Sequence, residues 1–468
     1  MLGYEFVVVG AGPNGLAAAA HLTRIGNRVL VVEQADEIGG GTRTEQLTQP
    51  GFLHDVCSAI HPLGVASPLF REIGLDVEWV HPEIPVSHPL GNGRAAGILR
   101  AVDETAARFG EDAVRYVRMF NPLVERADEV INGLLGPLQI PPRNPVSLTR
   151  LAARGAMPAT RIIGGFDSDE ARAVLSGLAA HAIAPLGSPL TGGVALLFAT
   201  TAHAYGWPMA RGGSQRIADG LASIILDGGG SIETGHRVES LDEFGDRSRF
   251  LLDLMPQAAF NVAGDRVLPG YRRRSSAWRT GPGVFKVDWA LDAPIPWSDE
   301  LSGRAGTVHV GGTFEEVMAS EDAIHAGRHP GRPFVLLSQQ SLFDPTRAPN
   351  GKHTAWGYCH VPRGSDRDMT DAVESQVERF APGFRDLILA RHTMNSPDFE
   401  AHNPNYVGGD IAGGEFGFRK IAQLGATRPY KIGDGVYLCS SSTPPGAGVH
   451  GMCGYYAAEA AMKEKEGR

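Results

Sequence analysis

Tyr4-Glu5-Phe6-Val7-Val8-Val9, then Gly10-Ala11-Gly12-Pro13-Asn14-Gly15, then an alanine-rich run to about Ile25, then Val29-Leu30-Val31-Val32-Glu33: this order of residues decides the fold. It reads as a buried strand, a glycine turn, a helix and a second buried strand closed by an acid. Gly10 allows the tight turn, Gly12 lets a pyrophosphate approach the backbone at the helix N-terminus, and Gly15 lets helix and strand pack closely, with Pro13 and Asn14 completing the loop. Glu33 follows the fingerprint by about 20 residues, where a carboxylate accepts hydrogen bonds from a ribose diol; Gln34 stands next to it. A dinucleotide is the ligand predicted.

The segment just past the second strand, Glu37-Ile38-Gly39-Gly40-Gly41-Thr42-Arg43-Thr44, decides which dinucleotide. Consecutive glycines bring a second stretch of backbone, at Gly40 and Gly41, against the pyrophosphate, and Thr42 or Arg43 hydrogen-bonds or neutralises its oxygens. NAD sites do not usually need this second clamp, so FAD is expected. Here the chain resembles the two-dinucleotide-binding-domain flavoproteins of the amine oxidase and phytoene desaturase group. Their pattern puts a Gly-Gly pair a few residues after the ribose-binding acid.

Composition fits such an enzyme. The chain has 468 residues, 43% of them hydrophobic, enough for two domains with separate cores. A net charge of -9 argues against nucleic acid and against a polybasic membrane anchor. Cys57, Cys359, Cys439 and Cys453 form no C-x-x-C or similar close pair, so neither a redox disulfide nor a zinc site is expected, and buried thiols in a reducing cytosol are. The first strand begins at about residue 4, leaving no room for a signal peptide, and no apolar run is long enough to span a bilayer. A soluble cytoplasmic protein is expected, with a peripheral membrane contact left open.

The nucleotide-binding parts fall in three pieces. Residues 1–70, 205–267 and 416–468 are assigned to a discontinuous FAD-binding domain, and 71–204 with 268–415 to a substrate domain. From Asp103 to about Ala204, apolar residues three and four apart imply amphipathic helices, as in 113–124 and 170–181, broken by the proline-rich Pro137–Pro145. The second piece runs from Arg211 through a helix to Asp227-Gly228-Gly229-Gly230, then enters a strand at Ser231 leading to Arg237 and Val238. Residues 268 to about 415 alternate short strands and helices, including Gly283–Leu291 and Pro333–Ser338, which suits a mixed sheet.

The third piece, Gly435–Ala458, reads as a buried strand, a small-residue loop and a helix whose first turn is nearly all small. Such a helix start approaches a flat ring closely and points its positive end at the flavin N1-C2 carbonyl. It resembles the C-terminal FAD segment of phytoene-desaturase-like proteins, especially the branch called pyridine nucleotide-disulphide oxidoreductase domain-containing proteins. The likeness covers most of the chain, including Gly206-Trp207-Pro208, Gly283–Leu291, Ala401–Asn405 and Gly408–Ile411. It implies an α/β fold, a Rossmann-like FAD-binding domain of the glutathione reductase or amine oxidase type, with a discontinuous mixed-sheet and helical substrate domain. It also implies contacts to FAD from the backbone of Val238 and from Ser441, Ser442, Gly448, Val449 and His450. Ser440 to Ser442 depart from the family's acid or glycine, and Glu239–Asp253 is short, suggesting an abbreviated hairpin.

Lys286, His450 and His61 are the candidates for chemistry. Lys286 lies in an apolar strand, so its side chain points to one defined face. In the amine oxidase branch a lysine in a similar strand holds a water at flavin N5; the alternative is a solvent-facing lysine. His450 opens the last helix and either lies by the ring or caps backbone. His61, His181, His203 and His360 either line a pocket or are structural. The chain has no H-E-x-x-H, G-x-S-x-G or P-loop, which excludes metalloprotease, hydrolase and kinase chemistry. The resemblance implies an FAD-dependent oxidoreductase removing hydride from an apolar, isoprenoid or lipid-like molecule, as a C–C desaturase or dehydrogenase. The acceptor of its electrons is oxygen, a quinone or another protein. The alternatives are an amine oxidase and a non-redox binding protein of the Rab-escort (GDI-like) type.

Overall fold

The computed structural model describes residues 3–136, 154–245, 248–420 and 429–466. The proline-rich Pro137–Pro145 lies outside them. Two large sheets organise the chain. Their strands are, in chain order, β1 (Phe6–Val9), β2 (Val29–Val32), β3 (Ile84–Gly91), β4 (Arg94–Ile98), β5 (Ser231–Glu233), β6 (Arg249–Leu252), β7 (Gly283–Leu291), β8 (Ala305–Val310), β9 (Val335–Ser338), β10 (His353–Val361), β11 (Ile388–Met394), β12 (Lys431–Gly433) and β13 (Val436–Leu438).

The first sheet has the order β12-β13-β6-β1-β2-β5 and is parallel except for β12. Its strands β1 and β2 are apolar throughout because both faces are covered. Along β1, Phe6 and Val8 join one core and Val7 and Val9 the other. At roughly 1.5–3 kcal/mol for each fully buried large apolar side chain, this double burial sets the register of β1. The first core is closed by α1 (Pro13–Arg24), the helix Gln215–Asp227 and the C-terminal helix Met452–Glu466. Alanines let these helices come close. A Cβ on Gly454 would overlap the Asn14 carbonyl.

The second sheet is mixed, in the order β11-β7-β10-β9-β8-β3-β4. Strand period two divides β7: Phe285, Val287, Trp289 and Leu291 pack toward the helix Thr370–Phe380, while Lys286 and Asp288 share the opposite face. The helices Asp169–Ala180 and Thr191–Ala204 cover the face bearing Leu336 and Trp356.

Some expectations fail here. The strand entered at Ser231 ends at Glu233, because the chain turns at Gly235 (φ +68°) and bonds back to the end of β2. Val238 therefore lies beyond the strand, in the apolar core with Val9 and Val32. In place of an abbreviated hairpin, a 3₁₀ turn at Leu241–Phe244, closed by a capping box from Ser240 and Glu243, leads toward β6. Strands β3 and β4, inside the stretch before the helices, escaped the sequence reading. Among the described residues no helix is long and apolar enough to cross a membrane.

Candidate functional site

The turn after β1 is built as its glycines require. Gly10 has φ +100°, a value L side chains resist, and a Cβ on Gly15 would run into the Gly10 carbonyl. Gly12 is the N-cap of α1 and offers no side chain to its free amides. Asp253, the residue after β6, fills that role across the sheet: its Oδ2 accepts from the Gly15 amide at 2.9 Å. The second glycine loop closes over the first, since a Cβ on Gly40 would lie 3.2 Å from the Gly12 Cα. At Gly41 it would overlap the Tyr406 hydroxyl.

These loops form one end of a cavity of about 520 Å³. Gly12, Pro13, Asn14, Gly40 and Gly41 line that end, and Ser441, Gly448 and Val449 line the wall beyond it. Asn14 Oδ1 is buried there without a partner among the described residues. The far end is a chamber of side chains: Phe198 and Trp207 from the helical layer, Leu336, Trp356 and Tyr358 from the second sheet. His181 also lines the cavity, its Nε2 3.0 Å from Nε2 of His309, so one ring donates and the other accepts. Burial lowers the His181 pKa to about 3, keeping that imidazole neutral.

The motifs carrying the resemblance join the two ends. Asn405 accepts from the Met255 amide at 2.8 Å and donates to the Asp253 carbonyl at 3.0 Å. Asp410 receives the amides of Gly281, Ala412 and Gly414 at 2.7 to 2.8 Å and so shapes the loop lining the cavity.

Other predicted residues sit one layer back. Glu33 is buried, with Oε2 accepting from Ala11 at 2.7 Å and Oε1 from Ala35 at 3.0 Å, and Arg43 approaches it at 4.0 Å. The Arg43 guanidinium donates to the Glu37 carbonyl at 2.7 Å. The Thr42 hydroxyl, expected at the pyrophosphate, instead donates to Gly39 at 2.8 Å and tightens its own turn. Gln34 is exposed and Ser442 is buried with its hydroxyl on the Met255 sulfur.

His61 lines the cavity. Ser214 donates its hydroxyl to the Ser58 carbonyl at 2.6 Å, so the 2.8 Å contact from His61 Nε2 is a donation to that oxygen, leaving Nδ1 a bare acceptor. Burial holds the His61 pKa at about 4. His450 precedes the last helix, which starts at Met452; its Nδ1 accepts from the Met452 amide at 3.0 Å. It is a cap, outside the cavity lining, and the first glycine of that helix, Gly454, packs on α1.

Lys286 is only 1% exposed, which overturns the solvent-facing alternative. It forms an ion pair with Asp288 at 2.5 Å, behind Trp356 and off the cavity surface, and His54 and His392 flank the same carboxylate at 3.6 and 3.4 Å. Burial alone would raise the Asp288 pKa, but Lys286, His392 and His54 together outweigh it and hold the carboxyl below its usual range. His203 and His360 are structural, bonded to Tyr116 and Glu321.

Sequence reading missed Asp253 and Lys420, both at the cavity. Lys420 donates to the carbonyls of Ala412 and Ser441 at 3.0 and 3.3 Å, and burial lowers its pKa. No local pattern marked either residue; only the crossing of distant segments brings them in.

Residues 8–73 match the model of an NAD(P)-binding Rossmann-like domain. Over 98% of its length the chain is 27% identical to mouse pyridine nucleotide-disulfide oxidoreductase domain-containing protein 2, covering 94% of that protein. It is 26% identical to the phytoene dehydrogenase of Streptomyces griseus, over 95% of this chain and 92% of that one. The chain is an oxidoreductase, similar over nearly its whole length to proteins named phytoene dehydrogenase and phytoene desaturase. In fold it is similar to an oxidoreductase from Methanosarcina mazei (TM-score 0.67, 17% identity, 98% and 99% of the two chains). It is likewise similar to cyclohexylamine oxidase from Brevibacterium oxydans (TM-score 0.61, 19% identity, 99% and 100%).

Proposed function

We propose that the chain binds FAD and removes hydride from a carbon of an apolar, isoprenoid or lipid-like substrate, as a C–C desaturase or dehydrogenase. The observation that carries this reading is the two-part cavity: a backbone-lined end made by two facing glycine loops, continuous with an aromatic chamber. The residues fit the cofactor. Gly12 and Gly40 leave bare backbone where a pyrophosphate has to come close, the N-terminus of α1 favours an anion, and Asn14 Oδ1 lacks a partner among the described residues. Gly448 and Val449 line the same cavity. Bound FAD supplies a two-electron acceptor whose N5 takes the hydride.

The chain's own residues then orient and shield. Phe198, Trp207, Leu336 and Trp356 hold an apolar chain by contact and exclude water. The neutral rings of His61 and His181 offer polar contacts without a charge in the chamber. Desaturase names among the full-length relatives support a carbon–carbon substrate. The amine oxidase alternative rested on Lys286, and that side chain is engaged by Asp288 away from the cavity surface.

The test is to purify the protein, release its chromophore by heat and chromatograph it. A yellow protein yielding FAD is expected. A colourless protein would overturn the assignment and favour the Rab-escort type of binding protein, and one yielding FMN would overturn FAD as the cofactor.

A further inference from the structure

Asp253 stands where no carboxylate is expected. An anion-binding turn relies on free amides and an open approach, yet this side chain enters it from β6, bonds the Gly15 amide at 2.9 Å and lies 2.7 Å from where a Gly12 Cβ would be. It is 6% exposed and lines the cavity beside Pro13 and Asn14. Its backbone is fixed on both sides, by its amide on the Val9 carbonyl at 2.8 Å and by Asn405 on its own carbonyl at 3.0 Å, so the carboxyl group has little freedom to swing out. Among the described residues no lysine, arginine or histidine forms an ion pair with it.

The groups facing it make an ionised form costly. Glu33 approaches from the end of β2, Tyr406 from the loop after residue 402, Cys439 from the end of β13 and Cys453 from the last helix. Burial raises the pKa values of Tyr406, Cys439 and Cys453, leaving Glu33 as the facing anion. Burial first and Glu33 second raise the Asp253 pKa to about 7, against the lowering effect of the Gly15 amide. A pyrophosphate beside it adds further negative charge.

We propose that Asp253 is a proton-carrying contact in the cofactor seat: FAD binding takes up one proton from solvent at this carboxyl, which then accepts from Gly15 and donates to a phosphate oxygen. The inference rests on the FAD reading above. Its sign follows from linkage. The bound cofactor raises the pKa of Asp253 above its value in the free protein, so affinity is constant below about pH 7 and falls above it, by up to about tenfold per pH unit.

The experiment titrates the deflavinated full-length chain with FAD between about pH 6 and pH 9, following flavin fluorescence, for the native protein and for Asp253→Asn. The expected result is a Kd that rises with pH in the native protein and stays flat in the variant, whose amide carries the donor permanently. A flat native profile, or an equal slope in both, would overturn the proposal. Calorimetry of the native chain in two buffers of different protonation enthalpy gives the same answer if the variant fails to fold: about one proton taken up per FAD near pH 8 is expected, and none would overturn it. Absence of FAD binding at every pH would instead bring down the FAD reading, and the inference with it.

Discussion

The two ends of the cavity are made of opposite materials. At the nucleotide end the walls are largely backbone, exposed by glycines close together in sequence, with Gly12 in the turn that Gly10 and Gly15 shape and Gly40 and Gly41 in the next. At the chamber end the walls are side chains from segments far apart: Phe198 and Trp207 from the helical layer, Leu336 and Trp356 from β9 and β10. Backbone recognition needs particular residues at fixed spacing. A hydrophobic chamber needs only volume and apolarity, which many residue combinations provide. The first constraint leaves a signature in the chain and the second does not.

The largest effect expected is behind the chamber. Lys286→Met leaves Asp288 buried and ionised without its main partner, which costs about 3–5 kcal/mol of folding stability. Asp288→Asn added to it should restore most of that loss, as measured by urea unfolding. If Lys286→Met unfolds like the native protein but slows flavin reduction or reoxidation in rapid-mixing experiments, the lysine belongs to the chemistry and not to the support behind the chamber.

At the other end, Gly12→Val brings a side chain to the place where bare backbone is needed, against Asp253 Oδ2. FAD affinity should fall by about 100-fold or more, equivalent to about 2.8 kcal/mol, with the circular dichroism of the fold retained. A folded variant with full flavin content would show that this turn does not hold the nucleotide.

Acid should weaken the fold through its buried histidines. His61 and His88 have pKa values lowered to about 4 and His181 to about 3 by burial, from an ordinary 6.5. The unfolded chain takes up protons that these rings refuse in the folded state, so stability is full above about pH 6.5 and is lost as pH falls toward 4, by up to about 1.4 kcal/mol per pH unit for each ring. His181→Phe should make that fall shallower by one such slope in unfolding measurements at several pH values; an unchanged slope would mean that His181 is protonated in the fold. The smallest effect concerns Thr307, whose buried hydroxyl on the chamber wall has no partner among the described residues. Thr307→Val should be neutral or stabilising by less than about 1 kcal/mol in thermal unfolding, whereas a loss of more than this would reveal a hydrogen bond there.

Legibility in the sequence follows the same division. The run Phe6–Val32 forms strand, turn, helix and strand as expected because every step is a local preference that tertiary packing reinforces. The extended register at Val238 was misjudged because Gly235 takes a positive φ, a choice its neighbours in sequence do not announce. For His450 the sequence leaves two readings, a ring contact or a backbone cap, and the two-residue offset of the helix start makes it a cap. Asp253 was unreadable for a different reason. It reaches its site across 238 residues of chain, through the parallel pairing of β1 with β6, and nothing near it in sequence says which turn it will face.

The most direct measurement is anaerobic mixing of the purified flavoprotein with an apolar polyene such as phytoene in micelles, and separately with putrescine, while the visible flavin band is followed. Bleaching by the polyene and none by the amine is the result expected from an aromatic chamber joined to a flavin seat. Bleaching by the amine alone would contradict it and return the site to amine oxidation.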